Sequence, residues 1–407
     1  MKITDLKLEN LGLKLFLFFI ALCPIFYDPY KFIGPGTLRL NQTQFFELGT
    51  TILFAVILLE NIYLSLFIVW SVYLYAYYGF PSIGGNYVIN IFFAAILYQI
   101  AYKIFNEENV HLFFKTVIGI CFLNAVWIFL QYLNIDPIFQ RNGVYTVDKV
   151  GLMGIKAFMG IFFALSIPFM ARYNVYLSGL FFIPIFISEC SVAMVAGATV
   201  FLFHVWFQSK KAFCWLLAVF AVLCSLYIVN DSKADMFRDR FSVWKISLRD
   251  AFKHPLTGWG LDSFYHAGSF KPFYYMKNNL TKESQSVSLK ALDVYRETGS
   301  FPPMDGFIKT GDTLDQWEHP HNEFISLFYE FGIIGIIILG FLLADILRRF
   351  YPTRNAIAFM GFFIGILICS VGQYPFHVVR IAYLAVIVLG IYYKLTDLDK
   401  DREEIYG

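Results

Sequence analysis

The stretch DQWEHPHNEFISLFYEFGIIGIIILGF, Asp315 to Phe341, carries two histidines around a proline and then turns, within a few residues, into hydrocarbon. Its second half has the composition of a membrane helix, and the same pattern recurs along most of the chain. Of 407 residues, 58% are hydrophobic, 20% aromatic and only 15% charged, and the mean hydropathy is +0.60. Soluble globular chains carry about 25% charged residues, so the chain reads as an integral membrane protein. Apolar segments near 12–28, 44–59, 61–78, 86–104, 110–133, 150–171, 174–189, 190–207, 212–229, 325–347, 355–371 and 376–394 are long enough, or nearly so, to cross a ~30 Å hydrocarbon core. The pairs 44–78 and 174–207 are each divided by only a polar residue or two. The fold class expected is an all-α polytopic membrane protein of about 12 transmembrane helices, with one large outer loop between helices 9 and 10.

Positive charge in short loops is retained on the cytoplasmic side. With the N-terminus inside, that side receives Lys2, Lys7, Lys103, Arg172, Lys210, Lys211, Arg348, Arg349, Arg354, Lys394, Lys400 and Arg402, whereas the short outer loops receive Lys31, Arg39, Arg141 and Lys149. Both termini are then cytoplasmic and the long hydrophilic segment lies outside. The first apolar segment runs on without an A-x-A-like site and reads as an anchor. The organisation expected is an N-terminal transmembrane bundle at 1–230, a periplasmic loop domain at 231–322, C-terminal transmembrane helices at 323–395 and a charged, solvated tail at 396–407.

Cys23, Cys121, Cys190, Cys214, Cys224 and Cys369 all lie in or beside apolar segments, so no disulfide framework and no CxxC metal pair is expected. There is no internal repeat, P-loop or GxGxxG, and the sequons at Asn41 and Asn279 read as chance. Information concentrates in the long loop. Phe241, Trp244, Leu248 and Phe252 recur at helical spacing, as on a surface helix with an aromatic stripe toward lipid. His254-Pro255 ends that helix, and Gly258 and Gly260 mark a turn. Lys and Arg dominate from Arg238 to Lys290, Asp and Glu from Asp293 to Glu318, so a loop folded on its own complementary charges is one reading.

Ionisable residues inside apolar segments are costly and face cavities or partners. Lys156, Glu189, His377 and Arg380 gather at the outer depth by this topology. Either they serve a site, or Lys156 and Arg380 form structural pairs with Glu189 or backbone carbonyls. Lys14, Lys115, His204 and Asp345 fall toward cytoplasmic ends, where snorkelling explains them.

RFSVW at Arg240 to Trp244, HPLTGWGLDSF from His254, and HPHNEF before a helix containing EFGIIG together resemble the signature of the O-antigen ligase and polymerase superfamily of membrane glycosyltransferases. LQYLNIDPIF at Leu130 to Phe139 and PFHVVR at Pro375 to Arg380 add weaker resemblance. The resemblance implies about a dozen helices around one large periplasmic loop, and a glycan passed from an undecaprenyl diphosphate carrier to an acceptor hydroxyl. It also implies an essential pair, Arg240 and His321. One departure is GLMGIKAF at Gly151 to Phe158, where Lys156 stands in a segment that is often Gly-Asn-x-Asn-like in the family. Three acceptors share this chemistry: lipid A-core, another lipid-linked repeat unit, and serine or threonine of proteins. A lipid-linked glycan transporter is the reading from another class, though related halves and mid-bilayer charges are not seen.

The residue types fit that chemistry on physical grounds. A diphosphate leaving group gains charge in the transition state, which the arginine fork of Arg240 can stabilise, helped by Arg238, Lys156 or Arg380. A neutral imidazole can take the acceptor hydroxyl's proton. His321 is preferred as base for its position against Asn322, with His319 the alternative or an orienting cap, and the following helix dipole disfavours its protonation. The same helix start could offer N–H groups to phosphate oxygens. Arg238 and Arg249 could equally pair with Asp235, Asp239 or Asp250. Tyr265, Phe270, Phe273, Tyr274 and Tyr275 could stack on sugars or belong to an interfacial belt. Ala193, Ala196, Gly197 and Ala198 read as a helix-packing surface. A metal site from His319, His321 and Glu323 is disfavoured because ligands beside a proline turn converge poorly, so no cofactor is expected.

Overall fold

The structure is a computed structural model that describes residues 61–78, 84–133, 155–218, 240–264 and 320–406, apart from 242, 246 and 262. The spans expected at 12–28 and 44–59, most of the span at 212–229, most of the loop domain, and Arg238 and His319 lie outside the described residues. Among the described residues the chain is helical throughout and contains no strand. In chain order the helices are α1 (Ile62–Tyr78), α2 (Gly84–Ile104), α3 (Val110–Tyr132), α4 (Lys156–Ala171), α5 (Val175–Ser178), α6 (Phe182–Ile187) and α7 (Ser191–Gln208). They are followed by α8 (residues 210–218), α9 (residues 240–251, where described), α10 (Glu323–Arg348), α11 (Arg354–Gly372) and α12 (Val379–Tyr406).

Five of these are long and apolar enough to cross a membrane: Val110–Tyr132, Ser191–Gln208, Glu323–Arg348, Arg354–Gly372 and Arg380–Leu398. The segment expected as one span at 174–189 is instead two short helices joined by a 3₁₀ turn at Gly179–Phe181. The chain then reverses at Glu189, whose backbone is left-handed (φ 55°). Polar residues mark helix starts as sequence logic requires. Asn174 accepts from the Tyr176 and Leu177 N–H groups, Thr353 from Ala356 N–H, and Asn322 from Ile325 N–H at 3.1 Å, a cap of about 1 kcal/mol each.

Helices α4, α7 and α11 pack mutually, α12 runs along α2, and α1 lies against α10. Ala193, Ala196 and Gly197 are buried on the α7 face, as their size suggested, and Gly197 meets Ile185 and Ile167. His204, expected at an interface, is instead buried on α7 beside Gly361 of α11.

Helix α10 is broken at Gly332, which has φ 64° and ψ −169°. A break releases carbonyls that the hydrocarbon cannot satisfy, so other backbone must meet them. The carbonyl of Tyr329 accepts from Trp259 N–H (2.8 Å), that of Glu330 from Gly260 N–H (3.1 Å), and that of Phe331 from the Trp70 indole (3.0 Å). In return Ile333 N–H donates to Pro255 O at 2.8 Å. The HPLTGWG turn is therefore spliced into the membrane helix. Gly258 (φ 67°) and Gly332 face one another so closely that a Cβ on Gly332 would sit 2.3 Å from the Leu256 carbonyl oxygen. Only glycine meets both the left-handed backbone and the close approach at this crossing.

The last helix continues through residues assigned to a solvated tail. Asp397 is tied to Arg349 and accepts from the Tyr102 hydroxyl at 3.0 Å, so this acid, expected in a solvated tail, is anchored.

Candidate active site

The site is built on the short link between α11 and α12, residues 373–378. Pro375 at the start of its 3₁₀ turn keeps the link from continuing α11. Three hydrogen bonds fasten the link and the end of α11 to the start of α10. Glu323 N–H donates to Gln373 O (3.1 Å), Phe376 N–H donates to Glu323 Oε2 (3.1 Å), and the Asn322 amide donates to Val371 O (2.8 Å).

Helix α9 closes over this platform. Its buried face is Arg240, Val243, Ser247, Asp250 and Ala251; of the expected aromatic stripe Phe241 and Phe252 are exposed, with Phe252 edge-on to Phe328, whereas Trp244 and Leu248 are half-buried. Trp244 donates its indole N–H to the carbonyl of Pro320 (2.8 Å), fixing the residue before His321. At the other end of α9, Asp250 accepts from the Tyr329 hydroxyl (2.9 Å) and pairs with Lys253 (2.8 Å).

Arg240 and His321 stand 81 positions apart in sequence (321 − 240) yet meet adjacent residues, the last of α11 and the first of the link. Arg240 Nη1 donates to the Gly372 carbonyl at 3.0 Å, and His321 Nδ1 lies 3.3 Å from Gln373 Oε1. The His321 ring also packs edge-on against Tyr374, with centroids 5.1 Å apart. Burial lowers the Arg240 pKa, against which Cys190 and Tyr374 push back. It remains a cation, as arginine does in proteins. Among the described residues no carboxylate lies within ion-pair distance of its guanidinium. Burial, and next the positive charge of Arg240, pull the His321 pKa down to about 4 against the raising effect of Gln373. At neutral pH the imidazole is uncharged. His321 also has a left-handed backbone (φ 52°), a conformation that costs a non-glycine residue about 1 kcal/mol and clusters at functional sites.

The other expected site residues divide. Lys156 and Glu189 form a pair at 3.7 Å, with Glu189 72% exposed, which is the structural pairing weighed from sequence. His377 is buried between two carboxylates of α10: Nδ1 is 2.8 Å from Glu323 Oε1, and Nε2 is 3.4 Å from Glu330 Oε1. Burial disfavours the imidazolium there, but the two carboxylates outweigh it and hold the pKa well above its usual value. His377 is thus enclosed between two carboxylates of α10 rather than standing at the surface. Arg380 stands half-buried in the first turn of α12. Because Glu323 turns to His377, it is not placed toward His321, and no metal-binding group of three His, Cys, Asp or Glu occurs among the described residues. The N–H groups of Glu323 and Ile325 are already occupied by Gln373 O and Asn322 Oδ1. The start of α10 therefore offers a phosphate less than the sequence suggested. Sequence reasoning missed Gln373 and Glu330. Glu330, an acid within an apolar helix, carried a signal; a glutamine at a helix end carried none.

Fold and site together define a helical membrane protein with a buried arginine and a neutral histidine at one end of its bundle, suited to an anionic ligand and a proton to be moved. Residues 144–340 match the family model described as O-antigen ligase, which supports the chain's place in the O-antigen ligase and polymerase family. The matched region contains Lys156, Glu189, Arg238, Arg240, His319 and His321, and ends before the link that carries Gln373 and His377 and before Arg380 of α12. The comparison with curated proteins finds no match.

Proposed function

We propose that the protein is a membrane glycosyltransferase that moves a glycan from an undecaprenyl diphosphate carrier to an acceptor hydroxyl at the periplasmic face of a bacterial inner membrane. The acceptor we assign is lipid A-core, making the protein an O-antigen ligase. The observation that carries the reading is the pairing on one link of a buried guanidinium with no carboxylate beside it among the described residues and an imidazole held neutral at pH 7. A buried charge without a partner is costly, and a diphosphate supplies what is missing.

In the reaction His321 accepts the acceptor hydroxyl's proton as that oxygen bonds to the anomeric carbon. The bond from that carbon to the carrier phosphate oxygen breaks, and its electron pair leaves with the diphosphate. Arg240 stabilises the charge that grows there, where a fixed donor in a site poor in water is worth about 3 kcal/mol or more of the barrier. The neutral state of His321 suits a base. Arg238, His319 and Arg380 are assigned to donor binding as helpers, and Lys156 with Glu189 to the rim of the donor path. We assign twelve spans with both termini cytoplasmic, so that the α9 end of α10 faces the periplasm.

The test uses purified protein in lipid with a labelled undecaprenyl diphosphate-linked glycan and three acceptors together: lipid A-core, a second lipid-linked repeat and a serine-rich protein. Mass spectrometry is expected to find the label on lipid A-core. Label on the second repeat or on the protein would replace the acceptor while keeping the chemistry. Label remaining on a carrier that another enzyme can use would overturn the glycosyltransferase reading.

A further inference from the structure

Resting on the assignment of His321 as the base, a second question is which of its two nitrogens carries the lone pair. A neutral imidazole has one N–H and one acceptor nitrogen, and the hydrogen bond made by one nitrogen sets the role of the other. His321 Nδ1 lies 3.3 Å from Gln373 Oε1. An amide oxygen only accepts, so a contact of this kind places the proton on Nδ1. We propose that Gln373 is a positioning residue that fixes His321 in the tautomer protonated at Nδ1, leaving Nε2 as the nitrogen that takes the acceptor's proton.

Three further observations support the assignment. The edge-on Tyr374 ring restricts rotation of the imidazole on the flank next to Gln373. The left-handed backbone of His321 and the Trp244 bond to Pro320 fix where the ring begins. Gln373 itself is 6% exposed and is held through its backbone, by its N–H to Cys369 O (2.9 Å) and its carbonyl to Glu323 N–H (3.1 Å). Its side chain can thus be exchanged without unfastening the link. Beneath the link, the Glu323–His377–Glu330 triad clamps Phe376 and keeps the segment on α10. The whole arrangement acts as a rigid mount for one amide oxygen.

The test is solid-state NMR of the full chain in lipid bilayers, with ¹⁵N-labelled histidine and the His321 signals assigned by their loss in His321→Asn. At pH 7 the wild type is expected to show His321 protonated at Nδ1 and unprotonated at Nε2. Gln373→Met keeps the side-chain length and removes the oxygen, and is expected to shift the proton toward Nε2 and slow transfer at least tenfold at unchanged donor KM. Gln373→Glu restores an acceptor and is expected to keep Nδ1 protonated. An Nε2-protonated wild type, or an Nδ1 proton that survives in Gln373→Met, overturns the inference, as does an unchanged transfer rate in Gln373→Met. The wild-type spectrum needs no variant to fold. Full transfer by His321→Asn would instead overturn the base assignment itself, so the two failures are distinguishable.

Discussion

Both ends of α10 carry paired charges, the Glu323–His377–Glu330 triad near its start among them, but only the N-terminal end also lies beside a cation that no carboxylate faces among the described residues. At its C-terminal end Asp345 is bonded by Arg349 (2.9 Å) and by the Tyr393 hydroxyl (2.6 Å), Arg348 approaches it at 3.5 Å, and Arg349 also pairs with Asp397 while stacking on Tyr393. Carboxylates and guanidiniums there face one another, and the product is a staple joining α10 to α12, with α2 attached through Tyr102. At its N-terminal end the link holds Arg240 without a carboxylate beside it among the described residues, and a histidine kept neutral. Charges that neutralise each other stabilise a fold. A charge and a base left unneutralised, on a left-handed backbone, fit a site that awaits a ligand.

That contrast separates activity from stability in variants. The largest effect is expected from His321→Ala, which removes the proposed base: transfer should fall by about 10²–10⁴, with no loss of thermal stability in a detergent melt. Arg240→Lys keeps the charge and loses the fork, and initial rates should drop by about 10²–10³. Asp345→Ala reverses the pattern. Breaking its largely buried pair with Arg349 should cost about 3 kcal/mol of stability in chemical denaturation, while activity per folded molecule is kept.

A subtler separation comes from pH. His321 has a folded pKa of about 4 against 6.5 in the unfolded chain. Between those values the unfolded state binds the extra proton, so this group's effect is to lower stability as pH falls through the window, with no effect above it. Its basicity persists until pH approaches 4, so the acid limb of kcat/KM should lie near there rather than near 6.5. His377 has the opposite sign: its raised pKa contributes stability that is present below 6.5 and lost as pH rises through the folded value. The smallest effect belongs to Lys156→Met. Its partner Glu189 is exposed, so the melt should shift by less than about 1 kcal/mol equivalent, and a large loss of transfer would move Lys156 into the donor site.

Much of this was written in residue types. Apolar composition gave a helical membrane protein, the Pro255, Gly258 and Gly260 punctuation gave the turn that α10 accommodates, and the resemblance of RFSVW and HPHNEF singled out Arg240 and His321, which the fold brings to neighbouring residues. The Lys156–Glu189 pair was also foreseeable, since both residues are costly in an apolar setting and lie near each other by topology. What escaped were contacts made by backbone. Gly372 O and Gln373 O hold the platform together, and a carbonyl leaves no trace in a sequence. The break at Gly332 was hidden because a glycine in an apolar run resembles ordinary helix packing, and only the facing Gly258 shows why it must be there. Asp345 and Asp397 read as interfacial and solvated because, beside the local Arg348 and Arg349, Asp345 is met by Tyr393 of α12 and Asp397 by Arg349 of α10 and Tyr102 of α2, all distant in the chain.

The most direct test measures donor binding and transfer on the same proteoliposomes containing wild-type protein, His321→Ala or Arg240→Lys. Binding of labelled undecaprenyl diphosphate-linked glycan would be read at equilibrium, and transfer as product over time. The account predicts that His321→Ala binds donor as wild type does and transfers almost none, while Arg240→Lys is impaired in both. Loss of donor binding in His321→Ala, or wild-type transfer by either variant, would contradict the division of roles between the buried arginine and the neutral histidine.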